Sequence, residues 1–220
     1  MLMNLKTIIL IFNTDRPLKE DAAKLRGYIA YRFKEYPILH HRIEEADYLY
    51  TYPRVQYKQI EGTPVVLGIE EGAAVLKKIS DDITELKLGK SRYKVESIQM
   101  TQMNAEFGPC QENRHYKFVT HWLALNPANY EKYKEISDWR EKKEVLNGIL
   151  VGNLLSMCKS LDYVVTRKLY VHSRLDDEQV EYKGVSLIGF TGEFRVNFQI
   201  PEFFGLGKGV SQGFGVIKAF

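Results

Sequence analysis

Cysteine is scarce in this chain. Cys110 and Cys158 are the two it has among 220 residues, and neither belongs to a Cys-x-x-Cys pair. A zinc site therefore has no support, and the usage fits a reducing, cytoplasmic compartment. Long hydrophobic runs are missing too. The opening MLMNLKTIILIFNT contains Lys6, is too short for a membrane span and carries no small-residue cleavage site. No membrane partner is expected. Neither sign of charge dominates, because 31 Lys and Arg face 28 Asp and Glu, a formal net charge of +3. That balance permits an anionic partner without requiring one. The acidic residues show no metal-ligand spacing, so neither a metal nor a cofactor is implied.

What the chain does have is 45% hydrophobic residues, 14 Tyr and 11 Phe, enough for a substantial core and for aromatics left over to stack on a ligand. Its length suits two domains of roughly 100 residues each. Residues 7–14 are β-branched and apolar and read as a strand. Asp15-Arg16-Pro17 marks a helix start, and Leu18, Ala22, Leu25, Ile29 and Phe33 follow at helical spacing. Tyr36-Pro37 stops that helix. A tyrosine-rich strand is expected over about 50–60, a turn at Glu61-Gly62, a return strand over 64–69 and a second helix over 70–79. Residues 85–88 and 93–106 close the unit as a hairpin around Gly89. The order is β-α-β-β-α-β, the ferredoxin-like unit.

Gly108-Pro109 reads as a break, after which the pattern repeats less regularly. A strand is expected over 116–125, then a helix entered at Asn126-Pro127 and interrupted at Gly148 or Gly152. Strands follow over 163–172, 185–192 and 193–199, with a turn at Asp176-Asp177. The fold class is thus α+β: two tandem ferredoxin-like (RRM-like) domains, 1–108 and 109–220, side by side with a cleft between them.

Near the carboxyl end stands GLGKGVSQGFG, with five glycines in eleven residues: Gly205, Gly207, Gly209, Gly213 and Gly215. Glycine lets backbone N–H groups approach a ligand closely, as phosphate-cradling loops require. A P-loop is excluded because Lys208 precedes Gly209 rather than Ser or Thr, and a dinucleotide fingerprint is excluded because too little chain follows to form its helix. The glycines alone fit a hairpin turn. Lys208, Ser211 and Gln212 add a cation and hydrogen-bonding groups beside them, which shifts the reading from a plain turn to a loop that grips a ligand.

That motif resembles the C-terminal glycine-rich motif of the repeat-associated RNA-binding proteins of CRISPR systems. With the length, the two ferredoxin-like halves and the histidines after the first helix, the whole chain resembles the CRISPR-repeat-processing endoribonuclease family. The resemblance implies a metal-independent enzyme that cuts repeat RNA in a precursor transcript. It would leave a 2′,3′-cyclic phosphate and a 5′-hydroxyl and release guide RNAs. It names CRISPR repeat RNA as the partner; a homodimer and association with a CRISPR effector complex stay open. Two rivals remain. One is a non-catalytic repeat-RNA-binding subunit of such a complex, the other a ferredoxin-like small-molecule-binding or structural protein.

RNA carries its own nucleophile, so the protein must move two protons and hold the phosphate in line. Histidine suits both proton steps. His40 and His41 are the candidates, with Arg42 as a phosphate contact. Adjacent side chains diverge, so one catalytic histidine with an auxiliary neighbour is the reading, His41 first. Some family members use histidines one residue apart, and the adjacent pair departs from that. Tyr48 resembles a family tyrosine and takes the third catalytic position; Tyr50 and Tyr52 read as core. Arg54, Gln56 and Lys58 would share a face opposite Val55 and Tyr57, facing either RNA or solvent. His121 reads as a satisfied core or edge residue, His115 as surface or RNA contact, and His172 as a strand end.

Overall fold

A computed structural model of the chain describes residues 2–40 and 51–220. It divides into two compact units. Among the described residues, the first comprises those within 4–105 together with 210–213, and the second residues 2–3, 106–209 and 214–220.

The first unit begins with strand β1 (Met3–Thr14). Helix α1 (Ala22–Arg32) follows, and a 3-10 turn (Pro37–His40) comes after it. Then come β2 (Val55–Ile60), β3 (Thr63–Ile69), α2 (Glu71–Ile79) and β4 (Glu85–Leu88). The first part of β5 (Ser91–Trp122) completes it. The strand order β2-β3-β1-β5 is antiparallel and ferredoxin-like. The β2–β3 hairpin turns at Glu61-Gly62, both at positive φ, as a two-residue turn with strand-matching twist requires. Helix α1 starts later than expected. Pro17 does not open it; Asp21 does, its carboxylate accepting from the Lys24 N–H at 2.9 Å. The preceding residues are tied down instead, Asp15 to the Lys94 carbonyl and Leu18 to the Gly62 carbonyl. The apolar stripe of Leu18, Ala22, Leu25, Ile29 and Phe33 does face the core, against Leu10, Phe12, Tyr57 and Tyr93.

The second unit takes the rest of β5, helices α3 (Pro127–Glu135) and α4 (Trp139–Ser160), and strands β6 (Val171–Tyr182), β7 (Val185–Gln199) and β8 (Ile217–Ala219). Pairing gives β6-β7-β5-β8, the same order as in the first unit. The place of a second crossover helix is taken by the glycine-rich connection, whose only helical residues are a 3-10 turn at Val210–Gln212. Asn126 caps α3 with Pro127 in its first turn, as the sequence indicates. Several boundaries differ. β5 runs through Gly108-Pro109 with a register shift instead of breaking there. The helical break falls before Asp138, which caps α4, while Gly148 and Gly152 lie inside α4. Asp176 and Asp177 are strand residues paired with Thr191 and Phe190, and Lys183-Gly184, both at positive φ, make the turn. Residues 163–170 are not a strand, so His172 lies at the start of β6. β7 continues through Gly192 as one strand. The core is aromatic: Tyr116, Phe118, Trp122, Phe190, Phe194 and Phe198 are all nearly inaccessible, and Phe118 stacks on Trp122 with ring planes 3° apart. Each such side chain stabilises the fold by about 1.5–3 kcal/mol through burial.

Candidate functional site

The histidine segment and part of the glycine motif belong to the same unit. His40 ends the 3-10 turn after α1 and is partly exposed, while its neighbour Leu39 is buried and accepts a hydrogen bond from the Tyr57 hydroxyl at 3.2 Å. Burial holds the Tyr57 phenol neutral by pushing its pKa well up, with a smaller opposing effect from Arg26, so it remains a donor. Arg26, on α1, donates to the His40 backbone carbonyl. Its other terminal nitrogen donates to Ser211 Oγ at 3.2 Å. One guanidinium therefore joins the segment after α1 to the motif's Val210–Gly213 stretch. His41, Arg42 and Tyr48 lie outside the described residues.

The same stretch packs on β2, the edge strand of its sheet. Gly213 has φ +88°, and a Cβ there would lie 2.8 Å from Ala22 Cβ and 3.2 Å from the Tyr57 carbonyl oxygen. Only glycine allows that approach. On β2 the expected polar face is not at the surface. Val55, Gln56, Tyr57 and Lys58 are all buried, so both faces of the strand are covered. The Lys58 ammonium donates to Gln56 Oε1 at 2.9 Å, and burial lowers its pKa to about 7. Arg54 forms an ion pair with Glu71 at 2.9 Å. The expectation that Arg54, Gln56 and Lys58 present one open RNA-facing or solvated face is thus corrected: two of the three are interior and the third is engaged with α2.

In the second unit the motif is also packed closely. Gly205 and Gly215 are buried, Gly207 and Gly209 are half-buried, and Lys208 is exposed with its ammonium 5.2 Å from the Tyr182 ring centroid. Many of the amides are already engaged. Lys208 donates to the Leu123 carbonyl, Phe214 to Gly209 and Gly215 to His121, and in the first unit Gly213 donates to Val210. A Cβ on Gly215, at φ +65°, would collide with the Leu206 carbonyl. At Gly213 and Gly215, then, glycine is required by packing, and those N–H groups are not presented to a ligand. Ser211 and Gln212 are partly exposed.

Of the other histidines, His121 lies near the end of β5, its Nε2 3.1 Å from Glu178. His115 and His172 lie on the outer face of the second unit's sheet. Arg26 is the residue that the sequence reading missed. It follows Leu25 by one and Ala22 by four, on the flank of the apolar stripe, a position that carries no motif. Among the described residues no three His, Cys, Asp or Glu side chains gather as a metal would need, and no helix is long and apolar enough to cross a membrane.

Two family models cover nearly the whole chain, the Cas6b N-terminal domain over residues 3–106 and the Cas6b C-terminal domain over residues 108–220. A crystal structure of Cas6b is similar with a TM-score of 0.91 and 34% identity, over 99% of this chain and 100% of that one. A crystal structure of the CRISPR RNA processing endoribonuclease Cas6b is similar with a TM-score of 0.79 and 32% identity, over 99% and 100%. An uncharacterized protein of Methanocaldococcus jannaschii is 47% identical over 137 residues, which is 62% of this chain and 92% of that protein.

Proposed function

The chain belongs to the Cas6b family, and on that premise we propose that it is a CRISPR RNA-processing endoribonuclease that cuts repeat RNA in the precursor transcript without a metal ion. The reaction is a transesterification. A 2′-hydroxyl loses its proton to a base, its oxygen bonds to the adjacent phosphorus, and the bond from phosphorus to the 5′-oxygen breaks. The leaving oxygen takes a proton. The products are a 2′,3′-cyclic phosphate and a 5′-hydroxyl. No redox partner and no water enter the step.

The histidine pair carries the two proton movements, His41 first and His40 as its auxiliary. Tyr48 donates a hydrogen bond to the phosphorane, where negative charge develops, and Arg42 contacts phosphate. Lys208, Ser211 and Gln212 hold the RNA from the glycine-rich motif. The single observation that supports this assignment is the double donation of Arg26, to the His40 carbonyl and to Ser211. It brings two sequence-distant candidate features into one neighbourhood.

The test is cleavage of the cognate repeat by purified protein and by the His40→Ala, His41→Ala double variant. The expected outcome is a loss of cutting by orders of magnitude with RNA binding largely kept. Full cutting by the double variant refutes the assignment, and binding without cutting by the wild-type chain makes it a non-catalytic repeat-RNA-binding protein.

A further inference from the structure

The second unit presents a cationic sheet face that shares no residue with the candidate site. Strand pairing sets His115, Arg195 and His172 side by side across β5, β7 and β6. Two residues along, Lys117, Glu193 and Arg174 form the next row, about 6.7 Å away at the usual strand rise. Lys117 is also directly opposite Lys218 on β8. The alternate residues Tyr116, Phe118, Phe194 and Val196 point the other way and are buried. The cationic rows therefore face outward, and Lys117, His172, Arg174 and Arg195 are exposed.

Two features separate this face from an ordinary solvated one. Like charges set opposite each other destabilise a sheet, yet Lys117 faces Lys218. Glu193 is the single acid in these rows, and among the described residues it forms no ion pair with any of these cations. The face is also edged by exposed aromatic rings. Phe220 is 66% exposed, with its ring centroid 5.9 Å from that of His115. Tyr170 is 55% exposed at the other end, where its N–H donates to Asn197. Shallow depressions that share His115 run along the surface from Arg174 to Phe220.

Cations in rows with stacking rings at the margins match a single-stranded nucleic acid, whose phosphates repeat along the chain and whose bases are free to stack. A protein partner would need an apolar centre, which this face lacks. We infer that the outer sheet face centred on Arg195 is a second RNA-holding surface that grips a single-stranded segment through its phosphates, with Tyr170 and Phe220 stacking on bases. The inference rests on the reading of the chain as an RNA-processing enzyme.

The experiment uses the full chain with His40→Ala and His41→Ala, so that cutting cannot consume the probe. Binding of the repeat RNA and of a short oligouridylate is followed against salt, with and without Lys117→Gln, Arg174→Gln and Arg195→Gln. Loss of three phosphate contacts should reduce the slope of log K against log salt by about 2 and weaken binding at least about tenfold near physiological salt. In the unsubstituted chain, RNA carrying 4-thiouridine should crosslink on irradiation to peptides containing Tyr170 or Phe220. That second measurement does not depend on how the variant folds. Unchanged slopes and affinities, or crosslinks confined to other peptides, overturn the inference. So does a variant that keeps its RNA affinity but loses self-association, which would assign the face to a second copy of the chain. Cutting by the wild-type chain is scored separately. If it cuts while the slopes stay unchanged, only this inference fails. If it does not cut but the slope falls, the face stands and the endonuclease reading fails.

Discussion

Arg26 on helix α1 donates a hydrogen bond to the hydroxyl of Ser211, 185 residues further along the chain, at 3.2 Å. From its second nitrogen it donates to the carbonyl of His40. A planar guanidinium can fix two partners at once, which an ammonium cannot do with the same geometry.

Replacing Arg26 with Ala should therefore slow the cutting step. Misplacing a reacting group by about 1 Å costs on the order of 10²-fold in rate, and Arg26→Ala should fall near that figure under single-turnover conditions at saturating RNA. Arg26→Lys should recover little of the loss. If Arg26→Ala loses thermal stability but keeps its full single-turnover rate, its role is structural only.

Gly213 and Gly215 should resist substitution for reasons of space. Both have positive φ, and a methyl at either meets packed neighbours. Gly213→Ala and Gly215→Ala should each destabilise the protein by roughly 1–3 kcal/mol, read by denaturant unfolding. Lys208→Ala, at an exposed position, should leave stability within about 0.5 kcal/mol and lower RNA affinity instead.

Lys58 makes a prediction about pH. Burial lowers its pKa to about 7, below the ordinary lysine value of about 10.4 that the unfolded chain retains. Between those values the unfolded state binds more protons, so this group makes stability rise as pH increases through that window. The rise is on the order of 1 kcal/mol per pH unit. Unfolding free energies of wild type and Lys58→Met at pH 7 and pH 9 should diverge accordingly, the wild type gaining on the variant. Parallel pH curves would contradict the interior placement of this ammonium.

The thiols should react very differently. Cys158 is buried, and burial raises its pKa to about 12, whereas Cys110 is only partly covered. A thiol reagent at pH 8 should label one cysteine quickly in the folded protein and the second only after denaturation, because the thiolate is the reactive form. Equal rapid labelling of both would contradict the packing of α4.

The first unit was legible because its signals are local. Glu61-Gly62 names a two-residue turn, and the apolar stripe from Leu18 to Phe33 has a helical period. Errors arose where local signals competed. Pro17 looks like a helix start, yet the Asp21 carboxylate, with a free backbone N–H to accept from, sets the boundary. Gly148 and Gly152 look like breaks, but nothing lies within 4 Å of where their Cβ atoms would be, and α4 runs through both. Asp176-Asp177 looks like a turn, although both side chains are exposed along β6 and cost the strand little. The candidate site was harder to read. Alternation along β2 predicts one polar face, but tertiary packing covers both, and no pattern within a single strand reports that. Arg26 has no motif at all. Its importance comes from two partners that are distant from it in the chain, and chain folding alone brings them within reach.

The central claim is tested most directly by the ends of the cut RNA. Cognate repeat RNA is incubated with purified wild-type protein in EDTA, and the products are analysed for their terminal groups. A single cut leaving a 2′,3′-cyclic phosphate and a 5′-hydroxyl is the predicted result. A cut that needs added magnesium and leaves a 3′-hydroxyl and a 5′-phosphate, or no cut at all, would contradict it.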